Sequence, residues 1–114
     1  MYIDSWENGQ FKEIWVYAEE NEDDERAMCG LINGDWGWLN YYDHECDAGL
    51  SSRNPDYDGT DDDDKTMDFI MNGERDPFPL SYVVPAEQVM KALAYFEERH
   101  EVPPFITWHD DNFA

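Results

Sequence analysis

The chain has very little positive charge. Seven lysines and arginines stand against 28 aspartates and glutamates in 114 residues, which gives a formal net charge of -21. Proteins bind nucleic acid largely through lysine and arginine contacts with phosphates, so this composition argues against direct binding to DNA or RNA. The same negative field attracts basic surfaces and favours a protein partner that itself holds a polyanion. Acidity that serves only solubility is the alternative interpretation.

Cysteine is scarce, and long apolar runs are missing. Cys29 and Cys46 are too few to define a disulfide framework, and we expect both to be free thiols in a reducing compartment. No run approaches the ~20 apolar residues that span a bilayer, and the N-terminus lacks the pattern of a signal peptide. We therefore expect a cytoplasmic protein without a membrane partner. A hydrophobic content of 41% predicts a single folded domain over residues 1–114.

Signatures of catalysis are also lacking. The chain has no glycine-rich phosphate loop and no nucleophile elbow, and neither cysteine has a basic neighbourhood that would activate its thiol. His44, Cys46 and Asp47 do not complete the four-ligand pattern of a zinc site. We therefore expect a protein that is not an enzyme and needs no cofactor.

One acidic segment comes near to a calcium-binding loop. Counted from Asn54, side-chain oxygens occupy the first, third and fifth positions, Gly59 the sixth and Asp62 the ninth. Lys65 stands where a bidentate glutamate should close the site. A solvated acidic loop is therefore favoured, and a small acidic regulatory or calcium-responsive binding module is the alternative function.

Apolar segments separated by turn residues predict an antiparallel sheet. Residues 43–64 are rich in Asp, Ser, Asn, Pro and Gly and are predicted to form one long loop. The predicted fold class is α+β, an antiparallel sheet of five or six strands with one C-terminal helix packed on a face, followed by a short closing strand. The strands are predicted at residues 1–6, 11–18, 27–32, 36–42, 65–71 and 80–84.

The helix is predicted from about Pro85 to about Glu101. Proline suits the first turn of a helix, and a proline pair at 103–104 prevents continuation. Spacing of four, three and four residues puts Val89, Leu93, Phe96 and His100 on one apolar stripe, with Met90 and Ala94 beside it. The closing strand is predicted over residues 105–108, and the polar tail at 110–112 is expected to fray.

A pattern of apolar residues and prolines runs through residues 81–108 at the positions Val83, Val84, Pro85, Val89, Ala92, Leu93, Phe96, Pro104, Ile106 and Trp108. This pattern resembles the C-terminal signature of immunity protein family one, the antitoxins encoded beside polymorphic deaminase toxins of bacteria. Residues 37–41 are also similar to the family's central strand. The resemblance implies a bacterial immunity protein that binds and inhibits a cognate toxin, specifically a nucleic-acid (DNA) deaminase. We expect a monomer that forms a one-to-one complex with this toxin.

Charge and exposed aromatic residues together predict the surface that binds this partner. Acidic loops at residues 19–25 and 56–64 are expected to mimic nucleic-acid phosphates and cover the basic substrate groove of the toxin, the longer loop contributing more. Tryptophan and tyrosine near turns are typical interface anchors, whereas Trp15, inside a strand, is predicted to be core. The predicted partner-binding residues are Glu20, Glu22, Asp23, Asp24, Trp36, Tyr42, Asp56, Tyr57, Asp58, Asp61 and Asp62.

Overall fold

A computed structural model describes residues 2–44, 47–59 and 64–113 of the chain. Within these ranges lie nine strands, one α-helix and two short 3-10 helices at Leu80–Tyr82 and Asp111–Phe113. No helix in these ranges is long and apolar enough to cross a membrane. The strands are β1 (Tyr2–Asn8), β2 (Phe11–Tyr17), β3 (Ala27–Asn33), β4 (Trp36–Tyr42), β5 (Leu50–Arg53), β6 (Thr66–Met71), β7 (Glu74–Pro79), β8 (Val84–Pro85) and β9 (Thr107–Asp110), and the helix is α1 (Ala86–Arg99).

The main sheet is antiparallel and runs in the order β1-β2-β3-β4-β5-β9. The two-residue strand β8 also pairs with β4, beside Trp36 and Gly37. Strands β6 and β7 form a separate hairpin. The predicted α+β class, with an antiparallel sheet, one helix and a closing strand, is confirmed.

Several boundaries differ from the predicted ones. Strand β5 lies inside the segment predicted to be one loop, and β7 follows β6 where no strand was predicted. Residues 80–84 form a 3-10 helix leading into β8 instead of a full strand. The tail does not fray as expected, because Asp110 belongs to β9 and the second 3-10 helix follows it.

Strands β5 and β7 were not predicted because they contain polar residues and prolines. Strand β5 has two buried serines, and Ser52 Oγ accepts a hydrogen bond from the Leu39 N–H at 3.1 Å and donates to the Tyr82 carbonyl at 3.0 Å. These bonds satisfy a hydroxyl that would otherwise disfavour burial. Strand β7 contains Pro77 and Pro79, which a strand tolerates when it is paired on one side only.

Helix α1 packs across one face of the main sheet, which we call the helix face. Its buried residues are Val89, Ala92, Leu93 and Phe96, so the stripe includes Ala92, whereas Met90 is half exposed. Two glycines let the helix approach closely. A Cβ atom added at Gly30 or Gly37 would lie 2.8 Å or 2.6 Å from a Val89 methyl carbon.

The β6–β7 hairpin covers part of the opposite face, which we call the hairpin face. There Trp38 packs on Phe78 with ring centroids 4.9 Å apart, and Phe69 meets Phe78 edge to face. The main sheet thus separates two apolar cores. The buried residues of the hairpin-face core are Cys29, Leu31, Trp38, Phe69 and Val83.

Candidate partner-binding site

An open cleft lies on the hairpin face, beside the part that the hairpin covers. It has a volume of about 390 Å³. Its floor is aromatic and its rim carries carboxylates, and we call it the aromatic trough. Its lining residues are Trp15, Tyr17, Glu25, Ala27, Tyr42, His44 and Asp47.

The floor of the trough follows from strand register. Tyr17, Ala27 and Tyr42 lie side by side on β2, β3 and β4. Because Ala27 is small and Cys29 is the neighbour of Trp15, space remains between the large rings. The Trp15 ring lies nearly parallel to Tyr17 and to Tyr42, at interplanar angles of 14° and 12° and centroid distances of 6.1 and 5.9 Å. The trough therefore presents a row of stacked rings.

A buried carboxylate fixes the Trp15 ring. The indole N–H of Trp15 donates to Glu13 Oε2 at 2.7 Å, and the other oxygen of Glu13 accepts the Asn72 N–H at 3.0 Å. Asn72 lies in the turn of the β6–β7 hairpin, with a positive φ of 54°. Glu13 thus joins the trough to the hairpin. On the opposite side of the floor, burial raises the pKa of Tyr42 to about 12, so its phenol is neutral at physiological pH.

The rim of the trough is negatively charged. Glu25 is exposed at the end of the loop that joins β2 to β3. Asp47 accepts hydrogen bonds from the Asp43 N–H at 2.9 Å and the Asn112 side-chain amide at 2.9 Å. These bonds, that of the Asp43 N–H foremost, hold the pKa of Asp47 below its usual value, so its carboxylate stays ionised.

The loop of residues 19–25 is anchored by Arg26. Nε and Nη2 of Arg26 each donate to Asp24 at 2.9 Å, and Nη1 donates to the His100 carbonyl at 2.7 Å, at the C-terminus of α1. The side chain of Asp24 is only 5% exposed. The Arg26 hydrogen bonds hold the pKa of Asp24 well below its usual range. Asp24 therefore has a structural role in this loop, and little of its side chain is left exposed for a partner.

The other predicted acidic residues of this loop are exposed. Glu20 pairs with His100 Nδ1 and with Arg26 at 3.2 Å, and the hydrogen bond from His100 is the main cause that lowers the pKa of Glu20. Glu22 and Asp23 project from the tip. Asn21 accepts the Asp23 N–H at 2.9 Å, which fixes the turn that carries them. Their carboxylates are thus displayed on an ordered turn.

The predicted partner-binding residues fall at two opposite ends of the main sheet. One end carries Tyr42 and the predicted acidic residues of the 19–25 loop. The other end carries Trp36, Asp56, Tyr57 and Asp58, and the two are separated by the length of β4, about 20 Å for seven residues. Asp61 and Asp62 lie outside the described residues.

The second end forms a smaller aromatic site. Trp36 is 43% exposed, and with Tyr57 it lines a cleft of about 300 Å³ together with Met67 and Val83. Asp56 and Asp58 are exposed nearby. The Asn54 side-chain oxygen, the first position of the calcium-like pattern, accepts the Asp56 N–H at 2.9 Å. The rest of that pattern from residue 60 to residue 63 lies outside the described residues.

Sequence reasoning missed Trp15 and Tyr17 as trough residues. Trp15 is only partly buried, and the small residues beside it, Ala27 and Cys29, belong to the next strand. Only the pairing register of β2 with β3 could therefore have identified the trough. Cys29 is a buried free thiol whose pKa is raised by burial, which makes it unreactive. Cys46 lies outside the described residues, so its free thiol stays a prediction.

The family model described as immunity protein Imm1 matches residues 4–110. Searches of curated proteins and of solved structures gave no significant match. The matched region contains all the residues that line the aromatic trough, the whole 19–25 loop and helix α1. Immunity proteins act by binding a cognate toxin. Because the match covers nearly the entire chain, the protein belongs to the immunity protein Imm1 family.

Proposed function

We propose that the chain is a cytoplasmic, non-enzymatic inhibitor that binds one copy of a cognate toxin, and that the toxin is a nucleic-acid deaminase acting on DNA. Family membership supports the toxin-binding role. The toxin class rests on the resemblance of the C-terminal segment to antitoxins of deaminase toxins, together with the net charge of -21. A toxin that binds DNA needs a basic substrate groove, and this chain is its electrostatic complement.

The observation that carries the proposal is the ordered acidic end of the sheet. Arg26 holds the 19–25 loop against the end of α1, so Glu22 and Asp23 are displayed without a large loss of loop entropy on binding. Glu25 adds a carboxylate on the edge of the aromatic trough. A rigid acidic surface next to exposed rings combines electrostatic steering with apolar anchoring.

The first experiment tests inhibition directly. The toxin domain is taken from the reading frame beside this chain, where antitoxins of this kind have their toxins. Purified toxin is assayed for deamination of single-stranded DNA with increasing amounts of the chain. We expect activity to fall to background at a one-to-one ratio. Full deaminase activity at a tenfold excess of the chain, with no complex on size exclusion, would overturn the proposal.

The second experiment tests the acidic surface. Replacing Glu22, Asp23 and Glu25 by Gln, Asn and Gln should slow association about 3- to 30-fold at low salt and flatten its salt dependence, because steering acts on the on-rate. The control is the double substitution Asp56→Asn and Asp58→Asn at the other end of the sheet. The sequence alone favoured the longer loop, but we expect a smaller change per charge there, because Arg26 anchors the 19–25 loop and Glu25 lies on the aromatic trough. Equal rates for parent and both variants would show that the charge serves solubility alone.

A further inference from the structure

The aromatic trough has the chemistry of a receptor for one cationic side chain. The faces of aromatic rings carry negative potential and attract cations, and this attraction is stronger where water is excluded. The Trp15 and Tyr42 rings supply such faces, and Glu25 and Asp47 add carboxylates to the rim. A volume of about 390 Å³ is at the lower end of small-ligand sites and is large enough for one long side chain.

We propose that the trough binds the guanidinium group of an arginine from the partner protein. A guanidinium is planar, so it can stack on the rings, and its edge carries N–H donors that reach carboxylates at the same time. A lysine ammonium is more strongly hydrated and lacks the flat surface. This inference rests on the proposed function, because a groove that binds DNA phosphates is where a toxin carries exposed arginines.

The chain already uses this contact internally. Three of its four arginines lie over aromatic rings, all outside the trough: Arg53 over Tyr82 at 3.6 Å, Arg75 over Phe11 at 5.1 Å and Arg99 over Tyr95 at 5.2 Å. The fourth, Arg26, pairs with carboxylates instead. The trough combines both kinds of partner, rings and carboxylates, at a surface position that an arginine from outside can reach.

The position of the rings is set before any partner arrives. Glu13 holds the indole of Trp15 through the 2.7 Å hydrogen bond, and the Trp15 ring lies nearly parallel to Tyr17 and to Tyr42, with ring centroids 6.1 and 5.9 Å away. A preformed site loses less conformational entropy on binding than one that must assemble. The trough is therefore built to accept a side chain in one orientation, parallel to the rings.

The test uses two small probes that differ in charge and have nearly the same shape, acetyl-arginine amide and acetyl-citrulline amide. Each is titrated into the ¹⁵N-labelled full chain at low salt, and the indole N–H of Trp15 and the backbone amides of Tyr17, Ala27 and Tyr42 are followed by NMR. We expect saturable shifts with the arginine probe in the millimolar range. The citrulline probe should bind at least tenfold more weakly.

Variants show whether the site is the trough. Tyr42→Ala should weaken arginine binding at least fivefold, and Trp36→Ala, at the other end of the sheet, should leave it unchanged. If Tyr42→Ala fails to fold, Glu25→Gln serves instead, since Glu25 is exposed, and it should weaken binding about two- to fivefold. Equal binding of the two probes would overturn the inference. So would arginine shifts spread over the acidic surface and insensitive to these trough variants.

The outcome is independent of the toxin assay. No toxin is present in the titration, so arginine binding at the trough can succeed even if the neighbouring deaminase is not inhibited. Conversely, inhibition of the toxin with no arginine binding would leave the proposed function standing and remove this inference. In a toxin complex, Tyr42→Ala and removal of a single toxin arginine should show coupled, non-additive losses of affinity.

Discussion

The two faces of the main sheet are closed to different extents. On the helix face, α1 covers the central strands, and the buried stripe meets glycines that let helix and sheet approach closely. On the hairpin face, β6 and β7 cover Trp38 and its neighbours, and the aromatic trough stays open beside them. Similar aromatic side chains thus serve stability on one part of the molecule and remain available for binding on another. Coverage by a second element decides which role a residue has.

The largest effect is expected on the helix face. Phe96 is fully buried and meets the Tyr41 ring edge to face at 5.7 Å. Phe96→Ala should lower the free energy of unfolding by about 3–5 kcal/mol, measured by urea denaturation. Met90→Ala on the same helix is the control and should change it by less than about 0.5 kcal/mol, because Met90 is half exposed. Equal effects of the two substitutions would show that α1 does not pack as described.

The hairpin face offers an internal comparison on one strand. Trp38 and Tyr42 lie on the same side of β4, four residues apart, but only Trp38 is covered by the hairpin. Trp38→Ala should cost about 3 kcal/mol of unfolding free energy, at the lower end for a tryptophan because its buried indole N–H has no hydrogen-bond partner among the described residues. Tyr42→Ala should cost only about 1–2 kcal/mol. A larger loss of unfolding free energy for Tyr42→Ala than for Trp38→Ala would show that the trough is covered and not open.

The smallest effect is expected in the 19–25 loop, which Arg26 anchors to the end of α1. In the folded chain the pKa of Asp24 is depressed below its ordinary value of 3.8, so its contribution to stability is full above that pH and is lost as pH falls through the folded pKa. Asp24→Asn should therefore reduce unfolding free energy near neutral pH. The difference from the parent should shrink below about pH 4.

Asp23→Asn is the matched control, because Asp23 is exposed on the same loop. It should leave both the stability and its pH dependence nearly unchanged. The measurement is urea unfolding of parent and both variants between pH 7 and pH 3. A constant difference between parent and Asp24→Asn over this range would show that the Arg26 contact does not depress the pKa of Asp24.

The sequence predicted elements with a strong local period and missed those defined by pairing. The helix and the strands before residue 43 were predicted within two residues, because apolar spacing and turn residues identify them. Strand β5 was missed because its buried serines are typical of a loop, and because its partner strand β9, which pairs His109 with Ser51, is distant in sequence. The stripe on α1 was predicted with the wrong neighbours, Met90 and Ala94 in place of Ala92, because the spacing does not show from which side the helix approaches the sheet.

The exposure and grouping of the predicted site residues could be predicted from the sequence only in part. Exposed carboxylates could be predicted from the acidic turn, but Asp24 could not be distinguished from Asp23, since only the fold brings Arg26 and the end of α1 together. Trp36 and Tyr42 are separated because they lie at opposite ends of β4, and Tyr57 lies beside Trp36. The trough itself depends on which residue of β2 faces which residue of β3, and a loop of nine residues between the strands leaves that register open.

Glu13 gives the molecule a built-in reporter. One oxygen of its carboxylate receives the Trp15 indole and the other receives the Asn72 N–H in the hairpin turn. A ligand that binds the trough more tightly when the Trp15 bond is made strengthens that bond by the same free energy, because linkage between two sites is reciprocal. The Asn72 bond shares this carboxylate, so we expect hydrogen exchange at the Asn72 backbone amide to change when the trough is occupied, although no ligand there needs to touch Asn72.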